Sequence, residues 1–236
     1  MKLSAPIYQL KRRAKLLSRT DTIPLHQALD RIAQEEGFTA WSLLASQHET
    51  LLPATPMLSQ LVEGDLLLIA ARPGHGKTLL GLQLLLDAVR ESRKATFFTL
   101  EYTEQQTMKR IHALPEGEAL GEKIEIVTSD EISADYVMRH LAGAPRGTVA
   151  VIDYLQILDQ QRSKPGLSEQ VSALQTFARE TGIVLAFISQ IDRSFEADGR
   201  GLPDLADVRL PNRLDLMLFS KACFLHNREV QLQHVA

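Results

Sequence analysis

From residue 58 to the end of the chain, short apolar runs alternate with amphipathic segments. The apolar runs predict β-strands at 66–70, 95–100, 124–127, 149–152 and 183–189. Apolar residues at helical spacing predict helices at 77–91, 104–113, 134–141 and 168–181. Apolar strands separated by amphipathic helices are typical of a parallel sheet with helices on both faces. The pattern therefore predicts an α/β fold.

The last part of the chain has a different pattern. Residues 215–219, 222–226 and 230–235 are predicted to form short antiparallel strands that extend one edge of the sheet.

The first part of the chain is predicted to be helical. The first segment has an apolar stripe at Tyr8, Leu10, Ala14, Leu16 and Leu17. A second helix begins after Pro24 and ends at Gly37, and we expect the apolar residues of the following segment to pack back on it, namely Phe38, Trp41, Leu43 and Leu44. Two prolines within 51–56 predict a linker. We therefore expect a small helical unit over 1–50 and an α/β domain over 57–236.

The composition is that of an ordinary globular protein. Of 236 residues, 44% are apolar and 23% are charged. No apolar run approaches the roughly 18 residues that cross a bilayer, and the N-terminus lacks the apolar core of a signal peptide. The single cysteine, Cys223, excludes an internal disulfide, and its apolar neighbours favour a buried structural thiol over a nucleophile. We expect a cytoplasmic protein with no membrane-spanning segment.

The net charge of −3 is not that of a general nucleic-acid binder. The start of the chain is a local exception, because no acid precedes Asp21 and the basic residues are Lys2, Lys11, Arg12, Arg13, Lys15 and Arg19. Such a run contacts phosphates or an acidic partner, or it forms an ordinary solvated helix face.

The most specific chemistry lies between the strand at 66–70 and the helix that begins at Lys77. Backbone N–H groups of a Gly-rich turn and a helix N-terminus attract phosphate oxygens. Lys77 is then expected to bind the β- and γ-phosphates, and the Thr78 hydroxyl to hold Mg²⁺. The first glycine of the usual pattern is replaced here by alanine. The predicted nucleotide-binding residues are Ala71, Arg72, Pro73, Gly74, His75, Gly76, Lys77, Thr78 and Leu79.

Polar residues that follow three other strands complete a site for nucleotide hydrolysis. Asp153 ends a buried strand and is predicted to join the Mg²⁺ shell, unless it only caps the next turn. Glu101 ends a neighbouring strand and is predicted to deprotonate the attacking water, or else to cap the helix that starts near Thr103. Gln190 is predicted to sense the γ-phosphate, with a satisfied polar residue at a sheet edge as the alternative.

Together, these segments resemble the ATPase domain of DnaB-type replicative helicases, in the RecA/KaiC-like superfamily. The likeness covers roughly 58–236 and includes the Ala-Arg-Pro opening of the phosphate loop. Five stretches carry the likeness, and they occur in the order that the family has. They are residues 64–66 leading into 71–78, then 97–101, 151–156, 188–194, and 207–209 before 215–219.

The resemblance implies a RecA-like fold and ATP hydrolysis at the subunit interfaces of a hexameric ring. Glu101 matches the catalytic base of the family, Asp153 its Mg²⁺-associated acid and Gln190 its γ-phosphate sensor. Arg228 matches an arginine that enters the neighbouring subunit's site, while His226 replaces the lysine usually paired with it. An arginine supplied in this way stabilises charge on the transferred phosphoryl group.

The departures from the family concern DNA unwinding more than nucleotide binding. The helical collar of these helicases is not recognisable in 1–48, and the region 210–214 is shorter than its family counterpart. The loops that match channel-facing loops, 159–168 and 191–207, contain Arg162, Lys164, Arg193 and Arg200, but the second loop is also rich in acids. These loops either track single-stranded DNA or are simply solvated.

Three hypotheses follow. The first is a DnaB-like ATPase that acts on single-stranded DNA as a helicase or related motor, using ATP and Mg²⁺. The second is a KaiC-like regulatory switch that binds protein partners without moving on DNA. The third concerns the first 48 residues only, which would form an adaptor for DNA or protein.

Overall fold

The computed structural model describes residues 4–5, 7–44, 57–159, 165–197, 201–210, 212–226 and 229–235. The chain forms two compact units, Met1–Leu52 and Pro53–Ala236. The linker predicted at 51–56 lies outside the described residues. Within the described ranges, no helix is both long and apolar enough to cross a membrane.

The first unit is built on two helices, α1 (Ile7–Thr20) and α2 (Leu25–Glu35). Pro24 precedes α2 directly, and Gly37, at φ 84°, provides the left-handed turn after it. The prediction of burial is wrong for two residues. Leu16 of the apolar stripe is 57% exposed, and Leu43, expected to pack on the second helix, is 49% exposed. A unit this small buries only a thin core, which consists of Leu10, Ala14, Ala28, Ile32, Ala33 and Leu44.

The second unit is organised by a seven-stranded mixed sheet. Its strands are β1 (Leu66–Ala71), β2 (Ala95–Thr99), β3 (Ile124–Val127), β4 (Val149–Asp153), β5 (Val184–Gln190), β6 (Lys221–His226) and β7 (Glu229–His234). The order across the sheet is β3-β2-β4-β5-β1-β6-β7, and all neighbours are parallel except β6 and β7. The predicted fold class, a mostly parallel α/β sheet with an antiparallel edge, is confirmed.

In the part of this unit that the structure describes, five helices connect the strands: α3 (Lys77–Arg90), α4 (Glu104–His112), α5 (Gly117–Leu120), α6 (Ala134–His140) and α7 (Leu167–Thr181). A Cβ atom at Gly81 of α3 would lie 3.1 Å from side-chain atoms of both Val151 and Ile188. Ile152 and Phe187, which are adjacent to Val151 and Ile188 on those strands, belong instead to the hydrophobic cluster that contains the buried residues of α7. Because adjacent strand residues point to opposite faces, α3 and α7 cover opposite sides of the sheet.

The tail differs from the prediction in one element. Residues 216–218 form a 3₁₀ turn and no strand, because the Asp215 carboxylate accepts a hydrogen bond from Met217 N–H at 2.9 Å and caps the turn. The other two tail strands form and pair antiparallel with each other, as expected, but β6 is not antiparallel to the rest of the sheet. β6 pairs in parallel with β1, and only β7 is antiparallel to its neighbour.

Candidate nucleotide-binding site

The loop between β1 and α3 has the backbone conformation of a phosphate-binding turn. Gly74 and Gly76 adopt positive φ angles of 85° and 89°, which glycine reaches without steric cost. Gly76 directly precedes Lys77, the first residue of α3, so the helix N-terminus faces the loop. The loop and the helix thus direct backbone N–H groups and a partial positive charge to one place, as anion binding requires.

The ends of the loop are fixed by the neighbouring strand β5 and its extension. Ala71 is the last residue of β1, and its carbonyl accepts a hydrogen bond from Ile191 N–H at 3.1 Å. The Arg72 side chain donates to the Ile191 carbonyl at 3.0 Å. Pro73 is exposed, whereas the Leu79 side chain is buried in the core beneath the loop. The loop is therefore attached at its base and open at its tip.

Thr78 and Asp153 meet directly. The Thr78 hydroxyl donates a hydrogen bond to Asp153 Oδ2 at 2.9 Å, although the two residues are 75 positions apart. Asp153 is fully buried, and its second oxygen, Oδ1, has no hydrogen-bond partner among the described residues. A buried carboxylate oxygen without a donor is costly, and this one lies beside the residue expected to hold a metal ion.

The electrostatics of the site depend on burial and on a second carboxylate. Burial is the main cause that raises the pKa of Asp153 from 3.8 to about 6, and the negative charge of Glu101 raises it further. The Thr78 hydrogen bond and the positive charge of Lys77 act in the opposite direction. Thr99 of β2 pairs with Asp153 of β4, so Glu101 follows at the same edge of the sheet. Lys77, Thr78, Glu101 and Asp153 are therefore neighbours, as the prediction requires.

Gln190 lies at the sheet edge between the strand of Asp153 and the strand that leads into the phosphate loop. It is the last residue of β5 and pairs with Ala71, the residue that begins the loop. Its carbonyl accepts a hydrogen bond from Arg209 N–H at 2.7 Å, which joins the sheet edge to the segment near 208. Its position suits a residue that contacts the loop, and its role as a sensor stays a prediction.

Of the two residues discussed for the arginine finger, the structure describes only His226. Arg228 lies outside the described residues. His226, two positions before it, is buried and stacks on His75 of the phosphate loop, with ring centroids 5.2 Å apart. Phe195 packs edge-on against His226 at 5.0 Å. His226 therefore contacts the phosphate loop of its own chain.

Tyr102 and Arg110 were missed by the sequence interpretation. The Arg110 guanidinium lies 4.2 Å from the centre of the Tyr102 ring. The available signal was position, because Tyr102 directly follows Glu101 at the edge where the other site residues converge.

The donor atoms fit Mg²⁺. A threonine hydroxyl and an unpartnered carboxylate oxygen are the hard oxygen ligands that Mg²⁺ prefers, and it usually takes few of them from protein. No cluster of three His, Cys, Asp or Glu side chains suited to a metal occurs in the part of the chain that the structure describes.

Cys223 does not belong to this site. It is buried in β6, and burial raises the pKa of its thiol to about 12. The thiol stays protonated at neutral pH, as expected of a structural cysteine.

Comparison with known proteins identifies the family. The model of the DnaB-like helicase C-terminal domain matches residues 54–124 and 123–215. The chain belongs to this family. The resemblance drawn from the motifs is confirmed, and the match gives no support to the KaiC-like alternative.

The relatives of this DnaB-like domain include replicative helicases of bacteria and plasmids. Replicative DNA helicase DnaB of Mycoplasma pneumoniae is 26% identical over 71% of this chain and 44% of its own length. The Helicobacter pylori DnaB is 27% identical over 66% of this chain and 40% of its own length. A probable plasmid replicative DNA helicase of Chlamydia trachomatis is 26% identical over 67% of this chain. The chain thus spans less than half the length of these relatives.

Solved structures agree on the fold. One solved ATPase domain superimposes with a TM-score of 0.56 at 22% identity, and the match covers 70% of both chains. A DnaB-like replicative helicase, solved in a study of its interactions with primase, gives a TM-score of 0.61 at 17% identity over 96% of this chain and 73% of that one. These likenesses support the RecA-like architecture.

Proposed function

We propose that this DnaB-like domain is an ATP-hydrolysing motor that acts on single-stranded DNA as a helicase or part of one. The observation that carries the proposal is the contact between the Thr78 hydroxyl and Asp153 Oδ2 at 2.9 Å, directly after a loop with left-handed Gly74 and Gly76. A threonine at a helix start, hydrogen bonded to a buried strand-end aspartate, is the arrangement of nucleotide sites that use a metal ion.

Each residue has a defined part in this proposal. Lys77 and the loop N–H groups bind the phosphates, and Thr78 and Asp153 hold Mg²⁺. Mg²⁺, when bound, neutralises charge on the phosphate oxygens. Glu101 takes the proton of the attacking water, which suits an exposed carboxylate close enough to influence Asp153. Gln190, next to the start of the loop, responds to the γ-phosphate.

The motor is further proposed to work as a ring of identical chains, six by family resemblance. Arg228 would enter the neighbouring copy's site and stabilise charge on the phosphoryl group. The basic residues of 159–168 and 191–207 would contact the DNA backbone. In the second loop, Asp192 accepts hydrogen bonds from the backbone and hydroxyl of Ser194, and Asp204 caps the turn before Asp207. These acids are therefore engaged within the loop, which favours Arg193, exposed in the same loop, as the phosphate contact. Arg162, Lys164 and Arg200 lie outside the described residues.

The nucleotide part is tested by comparing Lys77→Ala with the wild type. Lys77→Ala should lower the rate of ATP hydrolysis about 100-fold, because it removes a charged donor from the phosphates. Lys123→Ala changes a lysine in an exposed turn and is the matched control. If Lys77→Ala hydrolyses ATP as fast as Lys123→Ala, the proposed chemistry is wrong.

The DNA part has a separate test. Binding of a single-stranded oligonucleotide in the presence of a non-hydrolysable ATP analogue should weaken steeply as salt rises, since phosphate contacts release counterions. If the chain hydrolyses ATP but binds no DNA at any salt concentration, the proposed nucleotide chemistry stands and the proposed action on DNA is wrong.

A further inference from the structure

One side of helix α1 carries a row of positive charges. An α-helix turns about 100° per residue, so residues four positions apart lie nearly one above the other. Four cations of α1 fall within a sector of about 100° around the helix axis: Lys11, Arg12, Lys15 and Arg19. Leu10 and Ala14 lie outside this sector and are buried in the core of the unit. The sector, which we call the basic face of α1, is therefore directed away from that core.

Two acids of the small unit are paired with cations outside the basic face. An Asp21 oxygen lies 3.1 Å from an Arg31 nitrogen, and a Glu35 oxygen lies 2.6 Å from an Arg13 nitrogen. Arg13 also belongs to α1, but it lies about 100° around the axis from Arg12, at the side where α2 packs. These two carboxylates therefore neutralise Arg13 and Arg31.

The other two acids in the described part of 4–44 are engaged as well. Asp30 accepts a hydrogen bond from Trp41 N–H at 2.9 Å, and Glu36 accepts one from Ser4 N–H at 2.7 Å. Among the residues that the structure describes, no cation of the basic face makes an ion pair or a side-chain hydrogen bond. The basic face therefore presents four charges that the unit itself does not compensate.

The spacing of these charges suits a polyanion. Lys11, Lys15 and Arg19 stand about 6 Å apart along the helix axis, and like charges at this spacing repel each other. A chain of phosphates that runs along the row would remove the repulsion and release the counterions that the phosphates hold. Contacts to a phosphate backbone need positive charge along its path and carry no sequence information.

Two other anionic partners fit the face less well. A helix that lies on a membrane buries its apolar side in the lipid, but the apolar side of α1 is already buried at Leu10 and Ala14. A protein partner binds mainly through aromatic or apolar anchors, and between residues 11 and 19 the one exposed apolar side chain is Leu16. A nucleic-acid backbone is bound through its charge and requires neither.

We propose that the basic face of α1 binds the sugar-phosphate backbone of single-stranded DNA without sequence preference. The contact goes beyond the proposed function, because it belongs to the small unit and requires neither ATP nor a ring of chains. It gives the chain a hold on DNA that does not depend on the nucleotide state of the ATPase domain.

The test compares two double variants of the full chain that lose the same charge from different sides of the small unit. Lys15→Gln with Arg19→Gln removes two cations of the basic face. Arg13→Gln with Arg31→Gln removes two cations that are paired with acids, and it is the matched control. Binding of a fluorescent single-stranded oligonucleotide is measured by anisotropy over a series of salt concentrations, without nucleotide. Thermal unfolding confirms that each variant is folded.

The variant of the basic face should bind the oligonucleotide about five- to tenfold more weakly than wild type at low salt. Its plot of log affinity against log salt concentration should be less steep by about 1.4, because each lost phosphate contact to a single strand removes about 0.7 from the slope. The control should bind within about twofold of wild type, with the same slope.

The inference is overturned if the two double variants lose affinity equally, since the effect then reflects net charge alone, or if the variant of the basic face keeps the wild-type slope. It is also overturned if wild type binds fluorescent polyglutamate more tightly than the oligonucleotide and only polyglutamate binding depends on the basic face. A chain that hydrolyses no ATP but shows the predicted difference in slope loses the proposed function and keeps this inference. The two failures are therefore distinguishable.

Discussion

Asp153 shows the conflict between stability and function within a single residue. The carboxyl is fully buried, and one of its oxygens has no partner among the described residues. Burial, strengthened by Glu101, raises its pKa to about 6. The folded protein therefore disfavours the negative charge that a metal ion would need, and the cost is offset only when a cation is bound.

The pH dependence of stability follows from this shift. Between about pH 4 and pH 6 the folded protein retains a proton on Asp153 that the unfolded chain, with a pKa of 3.8, has lost. Stability is therefore lost as the pH rises through this window. The difference between the two pKa values corresponds to a destabilisation of about 3 kcal/mol at pH 8.

Asp153→Asn should consequently stabilise the nucleotide-free protein by about 1–3 kcal/mol at pH 8 and by much less at pH 4, where the wild-type carboxyl is protonated. The measurement is urea unfolding in EDTA at both pH values. Asp135→Asn, which changes an exposed acid in the first turn of α6, serves as the control and should give no gain. An Asp153→Asn protein that is no more stable than wild type at pH 8 would contradict the assigned pKa shift.

At the scale of elements, the contact between β6 and the phosphate loop was not foreseen. The sequence showed only that His226 replaces the lysine usually paired with the predicted arginine finger, Arg228. In the structure it is buried against His75 and Phe195, which belong to the phosphate loop and to the segment after β5. Strand β6 therefore supports the loop of its own chain, and any finger function is left to Arg228.

A double-mutant cycle tests this contact. His75→Ala and His226→Ala should show a coupling free energy of about 0.5–1.5 kcal/mol in unfolding experiments, because the two rings pack on each other. The cycle of His75→Ala with His140→Ala is the control, since His140 packs with Phe98 and Tyr136 instead. If the changes in unfolding free energy are additive in both cycles, the proposed packing of β6 against the phosphate loop is wrong.

Strands with strong apolar patterns were predictable because a strand of a covered parallel sheet is apolar along its length. The bounds of β1, β3 and β4 lie within one residue of those predicted. The strand predicted at 215–219 failed because a local side-chain hydrogen bond from Met217 N–H to Asp215 outweighed the apolar pattern. The prediction for Leu16 failed because it lies two positions after the buried Ala14 and therefore on the opposite face of α1.

The site could be predicted only in part. Thr78, Glu101 and Asp153 follow strands or begin a helix, so the topology of a parallel sheet brings them together. Tyr102 and Arg110 could not be assigned, because their contact depends on how α4 leaves the sheet edge after its capping box at Thr103. Sequence spacing does not specify that direction.

At the scale of the whole molecule, the proposed ring makes the site incomplete in an isolated chain. Arg228 would come from a neighbour, so hydrolysis should require assembly. The mass in solution, measured by light scattering with and without a non-hydrolysable ATP analogue and Mg²⁺, should rise from a smaller species toward a hexamer when nucleotide is added. A chain that remains a monomer at all concentrations and yet hydrolyses ATP rapidly would exclude a shared site.

The central claim is that this DnaB-like domain hydrolyses ATP with Glu101 as the base. The most direct test is Glu101→Gln, with binding of a fluorescent ATP analogue and ATP hydrolysis measured on the same sample. Glu104→Gln, three positions further in the exposed first turn of α4, is the control. We predict that Glu101→Gln binds nucleotide within about twofold of wild type and hydrolyses ATP at least about 100-fold more slowly. Hydrolysis by Glu101→Gln at the rate of Glu104→Gln would contradict the account.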